Sequence, residues 1–357
     1  MGTSVTPPSI PLVRAITIER LPDLLDRMNV RLDVLMRRAG LPEVPLDQQG
    51  DFLPLREVLA VVEGAARATG IEHIGLLLAT TGGLEAIGDY GRYIAEAPTL
   101  LEAIRRAARY ISWHTLGSSL ALTAEGAACV WRYSFPRTVK DHRQHGYPFA
   151  LVVMRDIVRL AGGPLWMPSE VRLEQAVSPG LRRQLQEAFG PRVKGSTGEN
   201  ALVFAQSLLA LPLSWRRRDL AAPAAGHALA SDMPSADFVG SVRQLVRSFL
   251  RAGYPNVGLL ARAAGLPVRS FQRALALCGT TFGDLVDEVR LEAAVAMMRD
   301  PLVRLTDIGL ELGYADPANF TRAFRRWTGQ MPTTYRRSLA NGEPDSFRQA
   351  GLAHALE

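Results

Sequence analysis

"IGLELGYADPANFTRAFRRWTGQMPTTYRR", residues 308–337, carries the densest information in the chain. From Ala315 onward it holds five arginines, Arg322, Arg325, Arg326, Arg336 and Arg337, and one acid, Asp316. Phe320, Phe324 and Trp327 recur at i, i+4 and i+7, which puts them on one face of a helix. Arg322, Arg325 and Arg326 fall off that stripe. Asp316 is a good N-cap and Pro317 a good first helical residue, so the helix has a defined start. An apolar side held to its own domain and long cationic donors on the other side are what a DNA-reading helix needs. Arginine pairs bidentately with guanine in the major groove or holds a phosphate.

A second copy of this pattern lies upstream. "LLARAAGLPVRSFQRALALCG" repeats the form of "DIGLELGYADPANFTRAFRRWTG", with Gly265 matching Gly313 at an offset of 48 and Phe271, Arg273 and Ala274 matching Phe320, Arg322 and Ala323 at an offset of 49. Each copy reads as a short helix, a glycine-bearing turn and a second helix, the sequence form of a helix-turn-helix. Between them "TFGDLVDEVRLEAAVAMMRD" predicts a long helix capped by Thr281 and stopped at Asp300-Pro301. Phe282, Leu285, Val286, Val289, Ala293 and Ala296 share its inner face. That helix could space two recognition helices about one duplex turn, ~34 Å, apart. A further helix, "SADFVGSVRQLVRSFLRAG", precedes the first copy. Residues 236–340 hold 14 arginines against 9 carboxylates, whereas residues 1–235 hold 26 basic and 23 acidic residues over twice the length. Positive charge concentrated in this way favours a polyanion partner.

The motif of residues 308–337 resembles the second helix-turn-helix of AraC/XylS-family transcription regulators. Gly313, Tyr314, Phe320, Arg322, Phe324, Gly329, Pro332, Tyr335 and Arg336 fall in the family's register. "RSFQRAL" and "GTTFGDLVDEVRLEAA" are similar to its first recognition helix and connecting helix. The resemblance implies a bacterial sequence-specific regulator that binds double-stranded promoter or operator DNA as a homodimer, with RNA polymerase a candidate further partner. By register it assigns base reading to Arg269, Gln272 and Arg273 in the first unit and to Arg322, beside Asn319, in the second. Arg325, Arg326 and Arg336, with Arg337, are left for phosphate or solvent. Two departures stand out. Pro317 and Ala318 occupy base-reading positions but cannot donate to base edges, and Pro267 stands where the family often has a capping serine.

Toward the N-terminus the pattern is mixed. "LPDLLDRM", "RLDVLMRRAG", "PLREVLAVVEGAARATG" and "APTLLEAIRRAARYISWH" predict helices, the last two opened by Pro54 and Pro98. "SSLALTAEGAACVWRYSF" alternates on both sides of Glu125-Gly126 and predicts a β-hairpin. "PFALVVMRDIVRLAGG" and "PGLRRQLQEAFG" predict helices, "PSEVRLEQ" a strand, and "NALVFAQSLLALPL" a strand and a short helix. The expected fold class is an α+β (mixed α/β) N-terminal domain plus an all-α C-terminal domain with two helix-turn-helix units joined by a long helix. The expected domains are residues 15–215, a linker at 216–236, the DNA-binding domain at 237–338 and a tail at 339–357.

The N-terminal stretches "GDYGRYIAEAPTLLEAIRRAARYI" and "FGPRVKGSTGENALVFAQSLLALPL" resemble the arabinose-binding-like domain of an AraC subgroup. That resemblance implies a domain that senses a small-molecule effector and adjusts dimerisation or DNA binding. Polar and aromatic residues near the hairpin, Tyr110, Trp113, His114, Trp131, Tyr133 and Arg137, are the candidate effector-pocket residues, against the more ordinary reading of each as a core or rim residue. The alternative is a DNA-binding regulator without an effector, controlled by dimerisation or a protein partner.

The remaining signals are weak. No GxSxG elbow, Walker loop, HExxH motif or Cys–His dyad signature is present, and the glycine-bearing "GSTG" and "TGGLEAIG" lack the strand-to-helix context of a phosphate cradle. An enzyme is therefore not expected, nor a cofactor. "DHRQH" places Asp141, His142 and His145 close together, a spacing unpersuasive for a metal site. Cys129 and Cys278 stand far apart and fit a reducing compartment. No apolar run reaches 18 residues, and the "MGTSVT" myristoylation pattern has no supporting signal, so the expectation is a cytoplasmic protein away from membranes.

Overall fold

The first strand, β1 (Leu12–Arg14), pairs antiparallel with β2 (Phe52–Pro54), and the short helices α1 (Leu21–Asp26) and α2 (Leu32–Ala39) lie between them in sequence. This is a computed structural model, and it describes residues 7–42, 51–213, 236–250 and 255–340. Two compact units emerge, Pro7–Ser241 and the chain from Val242 onward. Almost all of the expected linker at 216–236, and the tail beyond residue 340, lie outside the described residues.

In the first unit, α3 (Leu55–Thr69) follows β2 directly and ends at Gly70, whose φ of 73° suits a residue without a side chain. Pro54 is the N-cap residue rather than part of the first turn. Likewise Pro98 precedes the cap of α6 (Leu100–His114); Thr99 caps it, its Oγ1 accepting the Glu102 N–H. Two helices escaped the sequence reading. These are α4 (Ile74–Gly82) and α5 (Gly88–Ala95), separated by the 3-10 turn Gly83–Ile87, so "TGGLEAIG" is a helix-to-helix junction. Most of α4 is buried, and its sequence "IGLLLATTG" carries no polar face from which a period could be read.

The predicted hairpin is present as β3 (Ser119–Glu125) and β4 (Ala128–Ser134), in register Leu122↔Trp131 around a Gly126-Ala127 turn. With β5 (Glu170–Arg172), β6 (Val193–Lys194) and β7 (Ala201–Ala205) they form a sheet of order β3-β4-β7-β5-β6. Arg132 pairs with Glu125 and Glu199, and Arg172 pairs with Glu125, Glu170 and Glu199, so charge covers part of this sheet. Helix α7 (Arg143–Gly162) contacts β4 and β7 as well as α3, α4 and α6, and α8 (Pro179–Phe189) follows β5. Helix α7 begins five residues before the apolar run from Pro148, because His142 at φ 58° turns the chain into it. This brings His145 into the first turn, where its Nε2 lies 3.1 Å from Glu63 Oε2, and among the described residues no group of three metal-ligating side chains forms.

The second unit is helical throughout: α9 (Phe238–Phe249), which straddles the division, then α10 (Val257–Ala263), α11 (Val268–Leu277), α12 (Phe282–Met298), α13 (Leu305–Glu311), α14 (Pro317–Thr328) and α15 (Pro332–Ala340). Thr281 caps α12 as expected, its Oγ1 accepting the Asp284 N–H. The inner face of α12 departs from the predicted stripe. Leu285, Val286 and Val289 are buried, but Ala296 is exposed and the core contact passes to Ala294 and Met298. Arg243 on α9 pairs with Glu288 and Glu292 of α12, and Arg247 reaches Glu292 at 3.3 Å, tying the two helices together.

Candidate nucleic-acid interface and ligand cavity

The sequence repeat has a backbone cause. Gly265 and Gly313 occupy matching turns with φ of 68° and 78°, the left-handed region where a side chain is strained. Each turn swings the following helix across its partner. In the second unit the approach is close, since a Cβ on Gly309 of α13 would stand 3.2 Å from Phe320 Cβ.

Helix α14 turns Phe320 and Phe324 into the core, at 1% and 0% exposure. Phe324 meets Tyr335 edge-on at 5.3 Å, and Trp327 stands half-buried against Tyr314. Asn319, Arg322, Arg325 and Arg326 are exposed on the other side. Arg322 Nη2 donates to Asn319 Oδ1 at 2.5 Å, so these two candidate readers form one unit. Arg326 is held elsewhere, its Nη2 2.7 Å from Asp287 Oδ2 on α12. Arg336 is half-buried, and its Nε and Nη2 are enclosed without a hydrogen-bond partner among the described residues, whereas Arg325 and Arg337 face solvent. At the helix start Asp316 Oδ1 accepts the Ala318 N–H at 2.9 Å, and Pro317 has no N–H to offer. Arg290 of α12, which sequence reading did not single out, is buried with its guanidinium 4.4 Å from the Tyr314 ring centre.

The first unit has the same plan with a different start. Asn256 caps α10, accepting the Gly258 N–H at 2.7 Å. Phe271 and Leu275 of α11 are fully buried, while Arg269, Gln272 and Arg273 are exposed together on its outer face. Pro267 gives α11 no side-chain cap.

In the N-terminal unit an apolar cavity of about 80 Å³ opens between α3, α4, α6, α7 and the hairpin. Its wall includes Val58, Leu59, Leu78, Ile111, Phe135, Phe149, Val153 and Met154. Of the six expected pocket residues, His114 and Tyr133 line it and four do not. Trp131 is buried in the core, and Trp113 stacks on Arg14, whose guanidinium lies 3.9 Å from its ring. Tyr110 packs edge-on against Tyr93 at 5.2 Å, and Arg137 is exposed. His114 stacks on Tyr90, with 5.7 Å between ring centres, and its Nε2 lies 3.4 Å from Thr17 Oγ1. Burial, reinforced by the nearby Arg14 charge, pushes its pKa down to about 3, so the ring is neutral. Burial also lowers the pKa of His145, with Glu63 opposing. The buried Arg14, wedged between the Phe52 and Trp113 rings, had no sequence signal, since one arginine in a three-residue strand reads as exposed.

Comparison with known proteins matches both halves. Residues 30–213 match the family described as the arabinose-binding domain of AraC transcription regulator, N-term, and residues 260–338 match a helix-turn-helix domain. The chain is similar to the HTH-type transcriptional regulator VirS of Mycobacterium tuberculosis, with 24% identity over 91% of this chain and 96% of the relative. It is also similar to the ornithine utilization regulator of Pseudomonas aeruginosa, with 26% identity over 91% of this chain and 96% of the relative. Among solved structures, the transcriptional regulator CdpR from Pseudomonas aeruginosa aligns over 86% of this chain and 96% of its own, at 20% identity and a TM-score of 0.36. The AraC-domain match alone covers more than half of the chain, and with two helix-turn-helix units behind it the chain belongs to the AraC family of DNA-binding transcription regulators.

Proposed function

We propose that the protein reads an operator as a homodimer through α11 and α14, and that its N-terminal domain senses a small molecule that changes DNA binding or activation. The carrying observation is the division of each second helix into a buried aromatic side and an exposed polar side. Arg269, Gln272 and Arg273 of α11 and the Arg322–Asn319 pair of α14 are then the base readers. Arg325 contacts phosphate, whereas Arg326 is available only when it leaves Asp287 and Arg336 serves the fold more than the duplex. The cytoplasm is the compartment this reading requires, RNA polymerase is a candidate contact, and no catalytic role is assigned. Among the described residues no helix is long and apolar enough to cross a membrane.

A gel shift with the DNA upstream of the protein's own gene tests the reading. Arg322→Ala should cost about 1–3 kcal/mol on the specific site and relax preference at one base position. Unchanged affinity together with unchanged preference would remove Arg322 from the readers.

A further inference from the structure

We infer that the N-terminal cavity takes an uncharged, hydrocarbon-rich small molecule, about the size of one ring or a short branched chain, and not a sugar or an amino acid. This rests on the effector reading above and narrows it. None of the residues lining the cavity is Asp, Glu, Lys or Arg. Most of its polar side chains are engaged within the protein; the exception is His114, whose buried Nδ1 has no hydrogen-bond partner among the described residues and can meet one polar group of a ligand. Tyr90 Oη donates to the Ala107 carbonyl at 2.6 Å, Tyr133 Oη to Ser118 Oγ at 3.0 Å, and His145 lies against Glu63. A sugar would bring several hydroxyls, and an amino acid two charges, into a wall whose unpartnered His114 Nδ1 meets only one of them. Burying such groups unpaired is costly, and charged ones cost the most.

Small residues also form part of the cavity wall. Protein interiors leave few voids larger than a water molecule. Here Gly146 and Ala150, one helical turn apart on α7, both line the space. A Cβ on Gly146 would strike Phe135 Cζ at 2.6 Å. A larger residue at Ala150 would fill the gap. An engineered dry cavity of about 150 Å³ holds benzene. This one measures about 80 Å³, and the adaptable Met154 side chain in its wall gives it room to widen. Phe149 and Ala150 are half-exposed, which marks where the cavity nears solvent and where one polar substituent of a ligand can stay hydrated.

The test uses the full-length chain, titrated with benzyl alcohol, cyclohexanol, L-arabinose and L-ornithine, with calorimetry and the operator gel shift as readouts. A ring alcohol should bind saturably and move the gel-shift midpoint. Ala150→Phe should weaken that binding at least about tenfold while the helical circular dichroism is kept. If Ala150→Phe fails to fold, Met154→Ala gives the second reading, a shift of preference toward the longer 2-phenylethanol. Binding of a ring alcohol that leaves the gel shift unmoved would uphold the ligand class and overturn effector sensing by this cavity, whereas no binding by either alcohol would overturn the inference. Arabinose or ornithine binding that moves the gel shift and is lost in Ala150→Phe would overturn the ligand class and leave effector sensing standing. An operator affinity that no metabolite extract changes would instead overturn effector sensing itself.

Discussion

His114 shows what one buried ring does to the response of the whole chain to acid. Its pKa of about 3 when folded lies below the ordinary histidine value near 6.5. The unfolded chain therefore takes up a proton that the folded chain refuses. The stability this contributes is full above about pH 6.5 and is lost as pH falls toward about 3, at up to about 1.4 kcal/mol per pH unit. His114→Phe keeps an aromatic ring against Tyr90 and removes the proton. Urea unfolding at about pH 7 and pH 5 should show a smaller loss of stability in the variant than in the native chain. An equal loss in both would mean that His114 is not a source of the acid sensitivity. Asp287 acts on a different side chain. It holds Arg326 at 2.7 Å, so Asp287→Ala should free a cation beside α14. The expected result is tighter, less sequence-dependent DNA binding and a log–log salt slope steeper by up to about 0.9. An unchanged slope would show that Arg326 does not face phosphate even when released.

Among the elements, α11 and α14 start differently although they repeat one plan. Asp316 caps α14 and carries a negative charge at its start, whereas α11 has no side-chain cap. Asparagine caps about as well as aspartate. Asp316→Asn should therefore leave the melting temperature nearly unchanged while raising DNA affinity, measured by gel shift at low salt. A drop in melting temperature with no gain in affinity would refute the electrostatic part of that account. The same elements show what a sequence discloses. Helices such as α10 and α14 were legible because each has a capping side chain, Asn256 or Asp316, and a glycine in the turn or stop that follows. The exposure of Arg269, Gln272, Arg273 and Arg322 was legible because these residues fall off the apolar stripes of their helices. The helices α4 and α5 were not legible, since α4 is largely buried and has no polar face to set a period. Nor were β1, β2 and β6, which are only two or three residues long. In the cavity, His114 and Tyr133 could be suspected as polar groups in an apolar setting. Val58, Ile111 and Val153 could not, because a residue facing a void and one facing a neighbour look alike in sequence.

For the molecule as a whole, positive charge is densest in residues 236–340. A fragment of those residues should bind DNA with the same salt slope per bound chain as the full-length protein, since each arginine on a phosphate contributes about −0.9. A shallower slope in the fragment would mean that the N-terminal domain also grips the duplex. The five-stranded sheet gives a reason why it should not. Arg132 and Arg172 are each matched by glutamates of their own sheet, at Glu125, Glu170 and Glu199. Those carboxylates act as an internal decoy. They occupy two arginine forks that would otherwise be free to meet a phosphate backbone.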